Sequence, residues 1–430
     1  MLQKYKMLLI GTGKGDITAF VKGAGLLGYG LPHHYALEVE TPVYARAFIF
    51  EQLDNSQKVC FVNCELGFIT PSLKQGVLDY LTKNHPELQY NTSNLLLSAQ
   101  HTHCGPSGFS YHVIYNTATP GFHIGIYTKI VNGIIESILL AEKNKQKGTI
   151  QIGKSAFAPD IPVSFNRTVN AYNQNPEVTK YTHETRHLAV DREMTLMHFI
   201  SESGQPIGSV NWFAVHTSSL PNNFYKLCSD NKGFAATYLE EDFKKENKNY
   251  VAAFAQGACG DVSARVKYNK KLPAPRGKWE GYFPDDLKSS KFNGNLQFEK
   301  AKEITSTSLS AITDETVDSI AMYVDFSNIN IEPTFANGQD GCVTSPSCMG
   351  ISFLEGSIMD GPGLPLFLGK IARIIVRRAR KKELNNAKKQ GEAQEQYIWR
   401  KNKAQGVKDI GLATGERKFL GDLAPEDIPL

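Results

Sequence analysis

The sequence predicts an α/β fold, a mixed central β-sheet flanked by helices in a single large domain. Two observations predict it. From the N-terminus to Leu309, apolar strand-like runs alternate with segments whose apolar residues recur at helical spacing. Three of those runs also open directly into turns that carry histidine or small polar residues, which is where α/β sheets place their chemistry.

In chain order, residues 7–10 read as a first strand; the apolar patch is too short for the core of a secretion signal, so export by that route would require a leader not shown. Residues 58–62 and 94–99 read as buried strands with a helix over 72–83 between them. Over residues 126–141, Ile130, Ile134 and Ile138 recur with Val131, Ile135 and Leu139 as a core-packing helical stripe. Further strands are expected at 195–200, 207–215, 251–255 and 320–326, and helices at 232–245 and 298–309. The Pro, Gly and Lys-rich stretch 270–295 and the Gly, Ser and Pro-rich stretch 337–363 read as surface excursions. Residues 364–404 form a basic helical insert. Its segment from Lys370 to Lys403 sets Arg373, Arg377, Arg378, Arg380, Lys381 and Lys382 beside Ile371, Ile374, Ile375 and Val376. Such a helix either packs one face on the core or adheres to an anionic membrane surface or acidic partner.

Composition narrows the function classes. A chain of 430 residues with 41% hydrophobic and 21% charged residues has ample material for a core. A formal charge of +4 supplies no field for nucleic acid, and no nucleic-acid module is visible, so no nucleic-acid partner is expected. No apolar run approaches the length that spans a bilayer. The seven cysteines lack the spacing of a disulfide framework or zinc knuckle; Cys342 and Cys348 alone are close enough in sequence for a local disulfide.

The richest segment is Leu95-Leu96-Leu97-Ser98-Ala99-Gln100-His101-Thr102-His103-Cys104-Gly105-Pro106. In an extended backbone, residues two apart point to one side, so His101 and His103 can aim into one metal site or acid/base pair. A second apolar run, 207–215, ends at His216, which makes it the best partner for His101. The third, 251–255, opens into Gln256-Gly257-Ala258-Cys259-Gly260-Asp261-Val262-Ser263, where Ser263 could face a site or cap a helix. Cys259 is a candidate thiol nucleophile, though a buried small side chain accounts for it as well. Arg167, in Asn166-Arg167-Thr168, could clamp an oxyanion, and the same triplet fits a glycosylation acceptor. Gly11-Thr12-Gly13-Lys14-Gly15-Asp16 matches neither nucleotide-binding fingerprint in full and is not read as one.

These blocks resemble the neutral/alkaline non-lysosomal ceramidase family, from near the N-terminus to about Glu416. The likeness is carried by residues 13–18 with Gly28-Tyr29-Gly30, by residues 44–48, 98–106, 166–167 and 211–216, and by Ser229-Asp230-Asn231-Lys232-Gly233, Gly260-Asp261-Val262-Ser263 and Thr414-Gly415-Glu416. The resemblance implies cleavage of the amide of ceramide to sphingosine and a fatty acid at a single Zn2+. It implies that His101 and His216 are zinc ligands, His103 the neighbouring acid/base, Arg167 a substrate-contacting cation and Ser263 the nucleophile. Whether Ser263 attacks, or holds the substrate while water attacks, stays open. Two departures stand out. Ala264-Arg265 follows Ser263 where the family has Pro-Asn. The glutamate and tyrosine that complete the family's zinc shell, and its immunoglobulin-like domain, would lie past Leu430, so the catalytic domain is expected to lack its C-terminal end. A chain without those ligands could instead be an inactive relative that binds lipid or a membrane surface.

Overall fold

The computed structural model describes residues 7–413 apart from 32, 117–120, 247–248, 272–277, 308, 313–315, 328, 337, 346–347, 358–360 and 405–408. The Thr414-Gly415-Glu416 block lies outside the described residues. The chain packs as two compact units, Met1–Ala321 and Met322–Leu430.

The first unit is built on a mixed sheet. Its strands are β1 (Leu8–Asp16), β2 (Tyr44–Glu51), β3 (Lys58–Cys64), β4 (Leu95–Ala99), β5 (Gln146–Ala156), β6 (Glu193–Ser201), β7 (Pro206–Phe213) and β8 (Val251–Gln256), with a short β9 (Ser310–Ala311) on β5. They lie in the order β8-β7-β6-β5-β1-β2-β3-β4. The pairs β3/β4 and β7/β8 are parallel and the rest antiparallel. The sheet folds over so that β8 packs against β2, β3 and β4. Leu8, Ile10 and Phe48 thereby share one buried cluster with Phe199, Val210, Ala253 and Ala255.

Helices cover both outer faces. On one side lie α1 (Pro71–Asn84) and α2 (Ile124–Lys143), on the other α3 (Asp230–Lys245) and α4 (Asp286–Thr307). Thr70 starts α1: its hydroxyl accepts from Leu73 N at 3.3 Å, with Pro71 in the first turn where a missing N–H costs nothing. The expected stripe on α2 is buried at Ile130, Val131, Ile134, Ile135 and Ile138. By length and hydropathy α2 could cross a bilayer, contrary to the sequence expectation, but half of its apolar window is buried in this core. The Gly11, Gly13, Gly15 alternation now has a packing reason. A Cβ at these positions would sit 2.1, 2.1 and 2.0 Å from the carbonyl oxygens of Ala141, Ser137 and Gly133, so glycine lets α2 lie directly on β1.

Several expectations need correction. Residues 320–326 are irregular and exposed rather than a strand; their apolar side chains have no sheet to pack on among the described residues. The helix expected at 298–309 begins at Asp286, so the excursion expected at 270–295 ends as helix. Its buried face there is polar, Ser289, Ser290 and Asn293, which carries no hydrophobic periodicity. The stretch 337–363 contains short strands at Cys342–Val343 and Cys348–Gly350 and a helical turn at Ile351–Leu354. Cys342 and Cys348 are unbridged.

In the second unit the basic segment is two helices, α5 (Leu366–Gln390) and α6 (Glu392–Ala404). They are broken at Gly391, whose φ of 112° suits glycine. Arg380 Nε donates to Asn402 Oδ1 at 2.7 Å, tying the two together. Arg373 and Arg377 pair with Glu355 and Asp409, while Ile371, Ile374 and Ile375 remain exposed.

A buried charge network closes the folded sheet. Arg46 on β2, 1% exposed, donates to Glu65 at 2.6 Å and to Glu240 of α3 at 2.6 Å. Glu240 also accepts from Lys14 at 2.6 Å and from Ala252 N of β8 at 3.2 Å. Burial alone would raise the Glu240 carboxyl, but Arg46 and Lys14 hold it below its ordinary value. A carboxyl depressed in the folded state adds stability above its unfolded pKa, and that contribution is lost as pH falls through the folded value. Glu240→Gln should therefore flatten the acid limb of the stability profile below about pH 4.5 and cost about 1.5–3 kcal/mol at neutral pH, since Arg46 keeps Glu65 and loses one of its two charged partners. Denaturant melts of both proteins from pH 3 to 7 check this; parallel acid limbs would contradict it.

Candidate metal centre

Both parallel pairs run the same way into one end of the folded sheet, so the ends of β4, β7 and β8 meet. Gln256 at the end of β8 fastens them: its Nε2 donates to Gln100 O at 3.0 Å, Val215 O at 2.8 Å and Thr217 Oγ1 at 3.0 Å. Thr217 Oγ1 in turn donates to Gln100 O at 2.6 Å. His101, His103 and His216 follow these strand ends.

The His-x-His pair does not use the extended geometry expected of it. β4 stops at Ala99, and His101 has a φ of 73°, a left-handed turn rarely adopted outside glycine. That strain is held by bonds to the loop after β3: His101 N donates to Leu66 O at 2.9 Å, and Nδ1 lies 2.6 Å from Gly67 O. His103 N donates to Thr217 O at 3.2 Å. His216 Nδ1 lies 3.0 Å from Cys259 O.

The three rings meet in T-shaped pairs with centroids 4.7 to 4.9 Å apart. His103 Nε2 lies 3.2 Å from His101 Nε2 and 3.0 Å from His216 Nε2. Because His101 and His216 spend Nδ1–H on carbonyls, each presents an Nε2 lone pair to the centre. His103 is held well below the ordinary histidine value, first by burial, then by His216, His101 and Arg167. Its Nδ1 is buried with no hydrogen-bond partner among the described residues. Imidazole nitrogens grouped in this way are compatible with a metal site. The candidate ligand nitrogens of all three lie within 4.8 Å of one another, and the 3.2 and 3.0 Å separations are those of His103 from each of the other two. Among the described residues this group is three imidazoles, with no carboxylate.

The remaining candidates sit on an adjoining strip. Phe165–Asn166 and Val262–Ser263 pair as two short antiparallel strands, with Ser263 opposite Phe165. Arg167 N donates to Asp261 O at 2.8 Å, and its guanidinium to Gly260 O at 2.6 Å. Ser263 is fully buried, and its Oγ accepts from Arg265 N at 3.1 Å. The structure thus brings Arg167 and Ser263 together, and Cys259 O joins their strip to His216. It places no hydrogen bond from Ser263 to the histidines among the described residues. Burial pushes the Cys259 thiol up, which disfavours the thiolate form a nucleophile needs. Asn166 is no glycosylation acceptor: it is fully buried and donates to Ala189 O at 2.9 Å and Asp261 Oδ2 at 2.7 Å.

Sequence reasoning passed over the polar support beneath His216. Asn231 Nδ2 donates to His216 O at 3.2 Å and Ser219 Oγ at 2.9 Å. The neighbouring Lys232, fully buried, donates to Phe213 O at 2.8 Å and Ala255 O at 3.0 Å, the ends of β7 and β8. Burial brings its ammonium down to about 7. The available signal was three polar residues in a row at the start of a helix whose following turns are buried. Over the rim, Tyr29 sets its ring edge-on to His103 at 4.7 Å. Gly28 presses so close that a Cβ would fall 2.5 Å from His103 Cα, at a φ of 148°.

Comparison with known proteins bears on this geometry. Residues 8–430 match the family model described as neutral/alkaline non-lysosomal ceramidase, N-terminal. The chain is 31% identical over 353 residues to a neutral ceramidase of Pseudomonas aeruginosa, covering 82% of this chain and 50% of that protein. It is 28% identical over 446 residues to a neutral ceramidase of Oryza sativa subsp. japonica, covering 83% and 55%. A solved structure described as ceramidase complexed with C2 superposes with a TM-score of 0.68 at 28% identity, over 84% of this chain and 53% of that one. The neutral ceramidase structure from Pseudomonas aeruginosa gives 0.67 at 28% identity, over 85% and 56%. The chain spans about half the length of the curated relatives it matches.

Proposed function

The chain belongs to the neutral/alkaline non-lysosomal ceramidase family, and we propose on that basis that it carries the metal-binding and reactive residues of a zinc-dependent amidohydrolase. The substrate is ceramide or a close N-acyl sphingolipid, cleaved at the amide to sphingosine and a free fatty acid. The observation that carries the reading is the convergence of His101, His103 and His216 on one point.

His101 and His216 are the residues to hold the ion, since each has its Nδ1 fixed by a backbone carbonyl, the usual brace of a metal-bound imidazole. His103 lacks that brace. When bound, zinc supplies a Lewis acid that polarises the amide carbonyl. An amide also needs a proton moved onto its departing nitrogen. His103, kept neutral in contact with both ligand rings, is the group to take a proton from the attacking hydroxyl and return it to that nitrogen. Arg167 offers a cation beside the strip for a substrate oxygen, and Ser263 a hydroxyl that accepts one hydrogen bond from Arg265 N and keeps its proton and a second lone pair, either to attack the amide itself or to hold the substrate while water attacks.

A second reading, contact with an anionic membrane, is favoured by α5. Phe367, Ile371, Ile374 and Ile375 lie on one helical face with Arg378 and Lys382, and Phe367 and Ile375 are 64% and 61% exposed. An apolar patch followed along the same face by cations suits a surface of acidic lipids. It supplements the hydrolase reading, because a ceramide substrate resides in membranes.

Two measurements test these readings. Fatty acid release from detergent-dispersed ceramide should be zinc-dependent in the full-length protein. There His101→Ala should lose the metal, and His103→Ala should keep it while turnover falls by about 10²-fold or more. Equal metal loss in both variants would overturn the division of roles. Cosedimentation with anionic liposomes should be strong at low salt and weaken as salt screens the charges; no binding at low salt would remove the membrane reading.

A further inference from the structure

Arg265 is the second large cation that the fold encloses completely. Arg46 has carboxylates on two sides. Arg265 instead spends its guanidinium mainly on backbone: NH1 donates to Ser219 O at 2.7 Å and Nε to Trp279 O at 3.1 Å. NH2 reaches the carboxylate of Asp286, at the start of α4, at 3.1 Å. Burying a cation this deeply for two carbonyls and one edge carboxylate is costly, and an apolar side chain would fill the space more cheaply. What the guanidinium achieves is a join. Ser219 ends the loop that begins at His216, and Asn231 holds that same loop by His216 O and Ser219 Oγ. Arg265 itself fixes the hydroxyl of Ser263 through its backbone N–H. One residue thus grips the histidine loop with its side chain and the Ser263 hydroxyl with its main chain.

We propose that Arg265 is a positioning residue that sets the Ser263 hydroxyl relative to the histidine cluster by locking the 261–265 strip to the His216–Ser219 loop. The proposal rests on the reading of Ser263 as a group that meets the substrate. Arg265 touches neither substrate nor metal; it acts through Ser263. A lysine here keeps the charge but cannot span three acceptors in a plane, so it frees the strip without emptying the core.

A double-mutant cycle separates this from a merely structural role. Ser263→Ala, Arg265→Lys and the double variant are prepared in the full-length, zinc-loaded protein, with metal content, melting temperature, kcat and KM on ceramide measured for each. Arg265→Lys should lower kcat at least tenfold per folded molecule, with KM and metal content within about twofold of the parent. In the Ser263→Ala background, Arg265→Lys should cost nothing further in kcat. If Arg265→Lys does not fold, Asp286→Asn takes its place, because it loosens the partly exposed end of the same guanidinium while leaving it in the core. The same pattern at smaller amplitude is then expected. A kcat unchanged by Arg265→Lys, or losses that multiply in the double variant, overturns the assignment of Arg265 while leaving Ser263 in place. Near-normal turnover by Ser263→Ala instead removes the reading on which the proposal rests, and the proposal with it.

Discussion

Arg46 is closed off from water, so its charge must be met by side chains from whatever packs around it, and that requirement fixes how the sheet folds. Its two carboxylate partners come from opposite halves: Glu65 follows β3 and Glu240 belongs to the helix that precedes β8. Lys14 of β1 and the β8 backbone then attach to Glu240 as well. The apolar layer between the halves has no directional preference, whereas this network is satisfied in one register. With that register set, the ends of the two parallel pairs face each other, and Gln256 ties Gln100 to Val215 across the gap.

The chemistry depends on that meeting. None of the three histidines could gather the others from a single strand: the first two follow β4, the third follows β7, and the carbonyl that orients the third follows β8. The histidine loops are held chiefly by backbone carbonyls and side-chain amides, and His103 is held well below the ordinary histidine value by burial and by its neighbours. Asn231 and Lys232 extend this support into the helix layer, so a change several residues from any imidazole can still displace one.

Much of this was legible in the sequence, and the rest was hidden for identifiable reasons. The apolar run 251–255 declares a strand because both faces are buried, and the regular isoleucines of α2 declare its inner face. The start of α4 was illegible because Ser289, Ser290, Asn293 and Gln297 bury hydrogen bonds instead of hydrocarbon, a pattern identical to that of a loop. Residues 320–326 misled in the opposite direction, with strand-like composition and no partner strand among the described residues. His101 and His103 were found for an incomplete reason: they share a site through a left-handed turn at His101, and backbone strain leaves no mark on composition. Arg265 stood in the sequence as a departure from the family pattern, and its role became visible only when Ser219, Trp279 and Asp286 were seen around it.

The central claim is that the loops after β4 and β7 bring His101 and His216 together to hold a metal ion, with His103 beside them. Zinc-edge X-ray absorption on the zinc-loaded protein tests it most directly, since the chain also offers seven cysteines that would compete for the ion. The account predicts one ion per chain, with imidazole nitrogens at about 2.0–2.1 Å and no sulfur at about 2.3 Å. A sulfur shell, or an imidazole signal that survives replacement of both His101 and His216, would contradict it.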